Sequence, residues 1–237
     1  AAALAGTWNP FVVERLAIGQ WVVLLGYAAI PWALASLSGP RRAGVPSGLL
    51  VAIGVASLGG ANPLAMIALA VLPVLAVQVL RRGAWRDGLW VVGSLLGTGA
   101  VWILPSLAAH TSSAPMAPSA FAPRADTPFG VLISLFSAGG FWNPAAHPAP
   151  RGQWASATAA LLLAVVAAVL VCRLLWSRHR PLLASIGAAW LIVLLSSLPW
   201  AEPLWSRLVQ LPGGGLLRDS QKFVGVWAVL LAVGCGL

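Results

Sequence analysis

Three stretches of this chain carry the residues best suited to chemistry. Near the start, Asn9-Pro10-Phe11-Val12-Val13-Glu14-Arg15 sets a carboxylate beside a guanidinium; the long middle segment, 108–154, holds Asp126; near the end, Arg218-Asp219-Ser220-Gln221-Lys222 follows Gly213-Gly214-Gly215. Cations held at headgroup depth can grip a phosphate, and a carboxylate can orient a sugar hydroxyl or take its proton. Arg218 and Lys222 are four apart, so a helix beginning that early would show both on one face at its N-terminus, where the dipole also favours anions. The candidate binding residues are therefore Arg218, Lys222, Arg15, Gln221 and Asn9. The candidate catalytic carboxylates are Asp126, Asp219 and Glu14, with Glu202 a fourth acid in the same set of segments. Each stretch also has a plainer reading: Glu14-Arg15 as a self-neutralised interfacial anchor, and the glycine run as a hinge beside solvated charges.

Other chemistries lack their signatures. His110, His147 and His179 show no ligand spacing, and Cys172 and Cys235 lie in or beside apolar runs, where packing is their ordinary role. There is no phosphate-cradling Walker loop, no dinucleotide fingerprint and no nucleophile elbow, and no cofactor is implied. Apolar runs also lack a central ionisable residue, which ion-coupled transporters and proton pumps usually need. The net charge of +9 does not point to nucleic acid, because the basic residues sit in short connectors between apolar runs.

The elements that must position these residues are membrane helices. Hydrophobic residues make up 59% of the 237 and charged ones only 8%, against roughly 25% charged in soluble domains. Runs of about 15 to 21 apolar residues without strict alternation favour helices over barrel strands. The expected fold class is all-α: a polytopic bundle of about seven spans in a single transmembrane domain, at 18–38, 44–60, 62–80, 89–107, 155–175, 181–198 and 223–237. The segments 1–17, 108–154 and 199–222 are expected as loops on one side. Within the middle one, Phe129 to Phe136 reads as a short interfacial or re-entrant helix. Gly59-Gly60-Ala61-Asn62-Pro63 separates the second and third spans, and Gly93 and Gly97 match a small-residue packing pattern.

Charge then orients the bundle. Arg41, Arg42, Arg81, Arg82, Arg86, Arg173, Arg178 and Arg180 fall in three tight connectors with one acid, Asp87. By the positive-inside rule these connectors are cytoplasmic, and the longer segments lie outside with four of the five acids. Trp21, Trp154, Trp176, Trp200 and Trp205 stand near expected span ends, as an interfacial belt requires. Ala1 is not Met and Leu237 ends inside an apolar run, so the chain is expected to be a piece of a longer protein, with no signal peptide visible.

Some of these stretches resemble a known family. Trp8-Asn9-Pro10-Phe11-Val12-Val13-Glu14-Arg15-Leu16, Gly19-Gln20-Trp21, Leu24-Leu25-Gly26-Tyr27 and Leu217-Arg218-Asp219-Ser220-Gln221-Lys222-Phe223 look like the membrane region of actinobacterial glycosyltransferases of the GT-C type. The similarity is to the arabinofuranosyltransferases of cell-wall synthesis. It implies a multi-pass cell-membrane enzyme that moves a sugar, arabinofuranose among the candidates, from a polyprenyl-phosphate donor to a cell-envelope glycan on the external face. It also implies a catalytic acid in the first external loop; only the tail of that loop would be represented by residues 1–17, placing the usual base ahead of Ala1.

Two alternatives stay open beside this one. A transporter or flippase for lipid-linked substrates needs a polar path through the bundle, and the apolar runs offer little beyond Ser and Thr. A non-catalytic membrane scaffold would have no external cavity lined by Arg218, Asp219 or Glu14.

Overall fold

A computed structural model describes residues 1–38, 46–83, 85–108, 118–211 and 213–237. The candidates Arg41, Arg42 and His110 lie outside these residues. Among the described residues the chain is helical and contains no strand. The helices are α1 Ala2–Thr7, α2 Pro10–Ala17, α3 Val23–Ser38, α4 Ser47–Leu58, α5 Ala61–Arg82, α6 Trp85–Ala108, α7 Val131–Phe136, α8 Trp154–Arg178, α9 Leu182–Ser197, α10 Glu202–Gln210 and α11 Val224–Gly234. Single 3-10 turns interrupt the connectors.

α8 shows the inverted pattern of a lipid-facing helix over much of its length. On α8 the buried face is Ala157, Ala164, Ala168, Val171 and Leu175, at helical spacing, while Leu162, Leu163, Val166 and Val169 are exposed. Small residues face protein and large aliphatic ones face outward, as lipid permits and water does not. The close approach this allows is visible at Gly234 of α11, where an added methyl group would strike the Ala167 backbone.

Length divides the helices into two kinds. Three of them, over Ala61–Arg81, Trp85–Pro105 and Trp154–Arg178, are long and apolar enough to cross a membrane; α9 and the segment Pro199–Gln210, bent by 89° at their junction, could supply a fourth. The remaining apolar helices are shorter. At 1.5 Å per residue α3 reaches about 24 Å and α4 about 18 Å, short of a hydrocarbon core of roughly 30 Å. Among the described residues, then, three or four helices are long and apolar enough to be spans, where the sequence led to an expectation of seven. α11 has a distinct place among the apolar helices: Val224 to Ala232 are all buried, so this run lies at the centre of the bundle and is enclosed by protein. It packs against α8, α9, α1 and α3.

Several finer expectations changed as well. Gly60, at φ 97°, does break α4 from α5. An added methyl on Gly93 or Gly97 would meet nothing within 4 Å, so that pair makes no helix contact here. Trp21, Trp154, Trp176 and Trp200 are exposed as a belt would be, but Trp205 is buried on α10, a helix that replaces part of an expected loop. The short helix expected at Phe129 to Phe136 forms as α7 and is tucked inward: Phe136 lies 5.5 Å from the Trp227 ring, and Trp227 Nε1 donates to its carbonyl at 2.8 Å.

Candidate functional site

The candidate residues of all three expected loops meet at one end of the bundle. The meeting begins on α2, which Asn9 caps by accepting from the Val12 amide at 3.2 Å, with Pro10 in the first turn. Asn9 Nδ2 also donates to the Tyr27 hydroxyl and to the Ala5 carbonyl, both at 2.9 Å, and Tyr27 donates to the Gly6 carbonyl. Asn9 thus holds the α1–α2 corner against α3. The cap turns Phe11, Glu14 and Arg15 inward, and all three are completely buried.

Arg15 is the hub. Its guanidinium forks onto Asp219, with Nη1 to Oδ2 at 2.5 Å and Nη2 to Oδ1 at 3.2 Å, and donates further to Gln20 and Gln221 at 2.5 Å each. The Phe141 ring centre lies 4.5 Å from the guanidinium carbon and the Phe11 ring 5.4 Å, so both aromatic rings flank the charge. Burying a guanidinium is costly unless its donors are met; here only Nε lacks a partner.

A second buried pair lies alongside. Arg151 bonds Asp126 through Nε to Oδ2 and through Nη2 to Oδ1 at 3.0 Å, and Nη2 also donates to Ser137 Oγ at 2.9 Å. Ser134 Oγ accepts from the Asp126 amide at 3.1 Å, which ties the loop to α7. Gly139 closes the site: a methyl there would overlap both Asp126 and Arg151, so only glycine fits. Burial alone would raise the Asp126 pKa, but the Arg151 hydrogen bonds and charge outweigh it and hold the carboxyl below its usual range.

Glu14 lies between the two pairs. Burial first, and then the hydrogen bond and charge of the neighbouring Asp126, push its pKa up to about 9 against the opposing pull of Arg151 and Arg15. Gln221 reaches Oε2 at 3.4 Å while Oε1 has no donor, an arrangement that suits a protonated Glu14 sharing its proton with Asp126. Gln221 also donates to the Gly139 carbonyl at 3.2 Å, so one side chain touches all three segments.

The remaining candidates sit nearer the flank. Lys222 is buried, and its Nζ donates to Asn62 Oδ1 at 2.7 Å and to the Leu216 carbonyl. Its acceptors are neutral. Arg218 is half-buried, with its guanidinium carbon 4.5 Å from the Phe121 ring centre. The α-helix begins only at Val224, so Arg218 and Lys222 are separated by irregular backbone and do not share a helical face. Beside Lys222 runs an apolar groove of about 640 Å³ between α5, α6, α10 and the glycine-rich turn, lined near its polar end by Ala61, Leu216, Leu217 and Phe223.

None of Glu14, Asp126, Asp219 or Arg218 lines that groove, the smaller cleft beside Asn9, or either cleft at the opposite end. Among the described residues no cluster of three metal-ligating side chains occurs; His147 contacts the Phe141 carbonyl at 2.7 Å. The partners that sequence reasoning missed are Arg151, Gln20, Ser134 and Asn62. Asp126, the sole acid of residues 108–154, was a signal that a buried cation would be found beside it.

Comparison with family models, with curated proteins and with solved structures finds no match to this chain.

Proposed function

We propose that the chain is the membrane region of a glycosyltransferase that uses a polyprenyl-phosphate sugar donor, arabinofuranose among the candidate sugars, and serves a cell-envelope glycan acceptor on the external face. The observation that carries this reading is the apolar groove of about 640 Å³ ending against the residues that hold Lys222. A prenyl chain fills such a groove by apolar burial, and Lys222, bonded to the carbonyl of Leu216 in the groove wall, is a cation for its phosphate, with Arg218 on the same segment a second.

Electrostatics supports an anion at this end. With Glu14 protonated, the cations Arg15, Arg151 and Lys222 face the two carboxylates Asp126 and Asp219, an excess of one positive charge in a largely dry region. Of the three candidate bases, Asp219 alone keeps an exposed face, its side chain being 20% accessible, but Arg15 occupies its carboxylate. Asp219 fits the role of holding Arg15 better than that of taking a proton.

The intact membrane protein tests this reading. Arg218→Gln and Lys222→Gln should each weaken binding of a polyprenyl-phosphate sugar by roughly tenfold or more, as loss of a charge-assisted phosphate contact does, with a parallel fall in sugar transfer. Unchanged donor binding in Arg218→Gln, a change at a half-exposed side chain without an ion-pair partner among the described residues, together with no transfer from any such donor, would end it. A non-catalytic scaffold is the second reading, favoured by the absence of Glu14, Asp126, Asp219 and Arg218 from the walls of the described cavities. That reading expects the same two substitutions to leave the chemistry of the intact protein untouched.

A further inference from the structure

The opposite end of the bundle is built differently. There the C-terminal ends of α5 and α8 and the start of α9 enclose a cleft of about 310 Å³ lined by Ser38, Gln78, Arg81, Arg178, His179 and Arg180 among others. No carboxylate lines it. Arg81 and Arg178 have no hydrogen-bond or ion-pair partner among the described residues, and Arg180 spends one donor, Nε, on the Trp176 carbonyl at 2.8 Å. Repulsion among three exposed guanidiniums makes the cleft a site of unmet positive charge.

An apolar channel continues directly from this cleft. A groove of about 200 Å³, walled by Leu34, Ala35, Leu174, Leu230 and Val233, shares Ser38, His179 and Leu182 with the basic cleft. Exposed tryptophans paired with arginines, of the kind found at membrane interfaces, stand at this end of the bundle. Trp176 is exposed with the Arg180 guanidinium carbon 5.1 Å from its ring centre, and Trp85, at the start of α6, makes the same contact with Arg86 at 5.3 Å. A ligand with a phosphate at one end and a hydrocarbon chain at the other meets all three features; a free phosphate leaves the apolar groove empty.

We propose that this cleft binds an anionic phospholipid, its headgroup phosphate held by Arg81, Arg178 and Arg180 and one acyl chain laid in the adjoining apolar groove. The site is separate from the Lys222 groove. α5 runs from Ala61, beside Asn62 and Lys222, to Arg82, and its 22 residues put about 33 Å between the two ends.

The test is native mass spectrometry of the whole chain in detergent, titrated with phosphatidylglycerol and, separately, phosphatidylcholine. Phosphatidylglycerol should bind at least tenfold more tightly, and Arg81→Gln/Arg178→Gln/Arg180→Gln should remove that preference. The matched variant Arg86→Gln/Arg173→Gln/Arg207→Gln deletes the same charge from exposed positions outside the cleft and should keep it. Ala35→Trp, which fills the apolar groove while leaving the arginines in place, should weaken the lipid severalfold, and glycerol phosphate should fail to displace it. Equal binding of the two lipids, an equal loss in the matched variant, or displacement by glycerol phosphate would overturn the proposal.

Discussion

The two ends of this bundle treat the same side chain in opposite ways. At one end Arg15 and Arg151 are buried and forked onto Asp219 and Asp126; at the other, Arg81, Arg178 and Arg180 are exposed and meet no carboxylate. The difference follows from where the acids are. The long connectors carry Glu14, Asp126, Glu202 and Asp219 and can fold inward around ion pairs, whereas the tight connectors offer one acid, Asp87, at the first turn of α6. A guanidinium with partners becomes structure, and one without them remains available to an outside anion.

Removing a partner from the buried end should have the largest effect. Arg151→Gln leaves Asp126 enclosed without its counter-charge, and a broken buried pair costs about 3–5 kcal/mol. Unfolding of the purified chain in detergent should show that loss, and Arg151→Gln/Asp126→Asn should recover part of it, since the pair then no longer contains a lone charge. A loss below about 1 kcal/mol for Arg151→Gln would mean that water reaches Asp126 freely.

Glu14 gives the comparison a pH dependence, with opposite signs for two neighbouring acids. Its folded pKa of about 9 lies above the ordinary 4.5, so its contribution is complete below about pH 4.5 and is lost as pH rises toward 9. Asp126 is held below its ordinary 3.8, so its contribution is present above that value and is lost as the solution becomes more acid. The wild-type chain should therefore lose stability between about pH 5 and pH 8, with a limiting slope of about 1.4 kcal/mol per pH unit; above that Lys222, whose pKa burial lowers to about 8, acts in the opposite direction. Glu14→Gln should flatten that slope while keeping the Gln221 contact. Superimposable pH curves for the two proteins would show that Glu14 is not protonated in the folded state.

What could be read from the sequence divides along similar lines. The helical class, the break at Gly59-Gly60, the short helix near Phe129 and the division of charged segments into two sets are local matters of composition and spacing, and local signals report them. Span length is not local in that sense. An apolar run reads the same whether lipid or protein surrounds it, which is why the sequence did not show that other helices enclose α11. Nor could sequence reveal that Glu14 faces Asp126 rather than its neighbour Arg15, because a tertiary contact sets that pairing. Arg218 and Lys222 were matched by helical spacing, and the irregular backbone before Val224 removed the premise.

The smallest effect is expected at the far end, and it sharpens the contrast most directly. Arg178→Gln is the same chemical change as Arg151→Gln, made where the side chain is exposed and has no described partner. Deleting it strands no buried charge and empties no packed space, so the unfolding free energy should move by less than about 0.5 kcal/mol. The small change should be toward greater stability, because Arg178 shares its cleft with Arg81 and Arg180 and like charges repel. Raising the salt concentration should shrink that gain, since exposed charges are screened over roughly 10 Å at 0.1 M. A loss approaching that of Arg151→Gln would show instead that this arginine too is held by a buried partner, and the two ends would then differ in degree only.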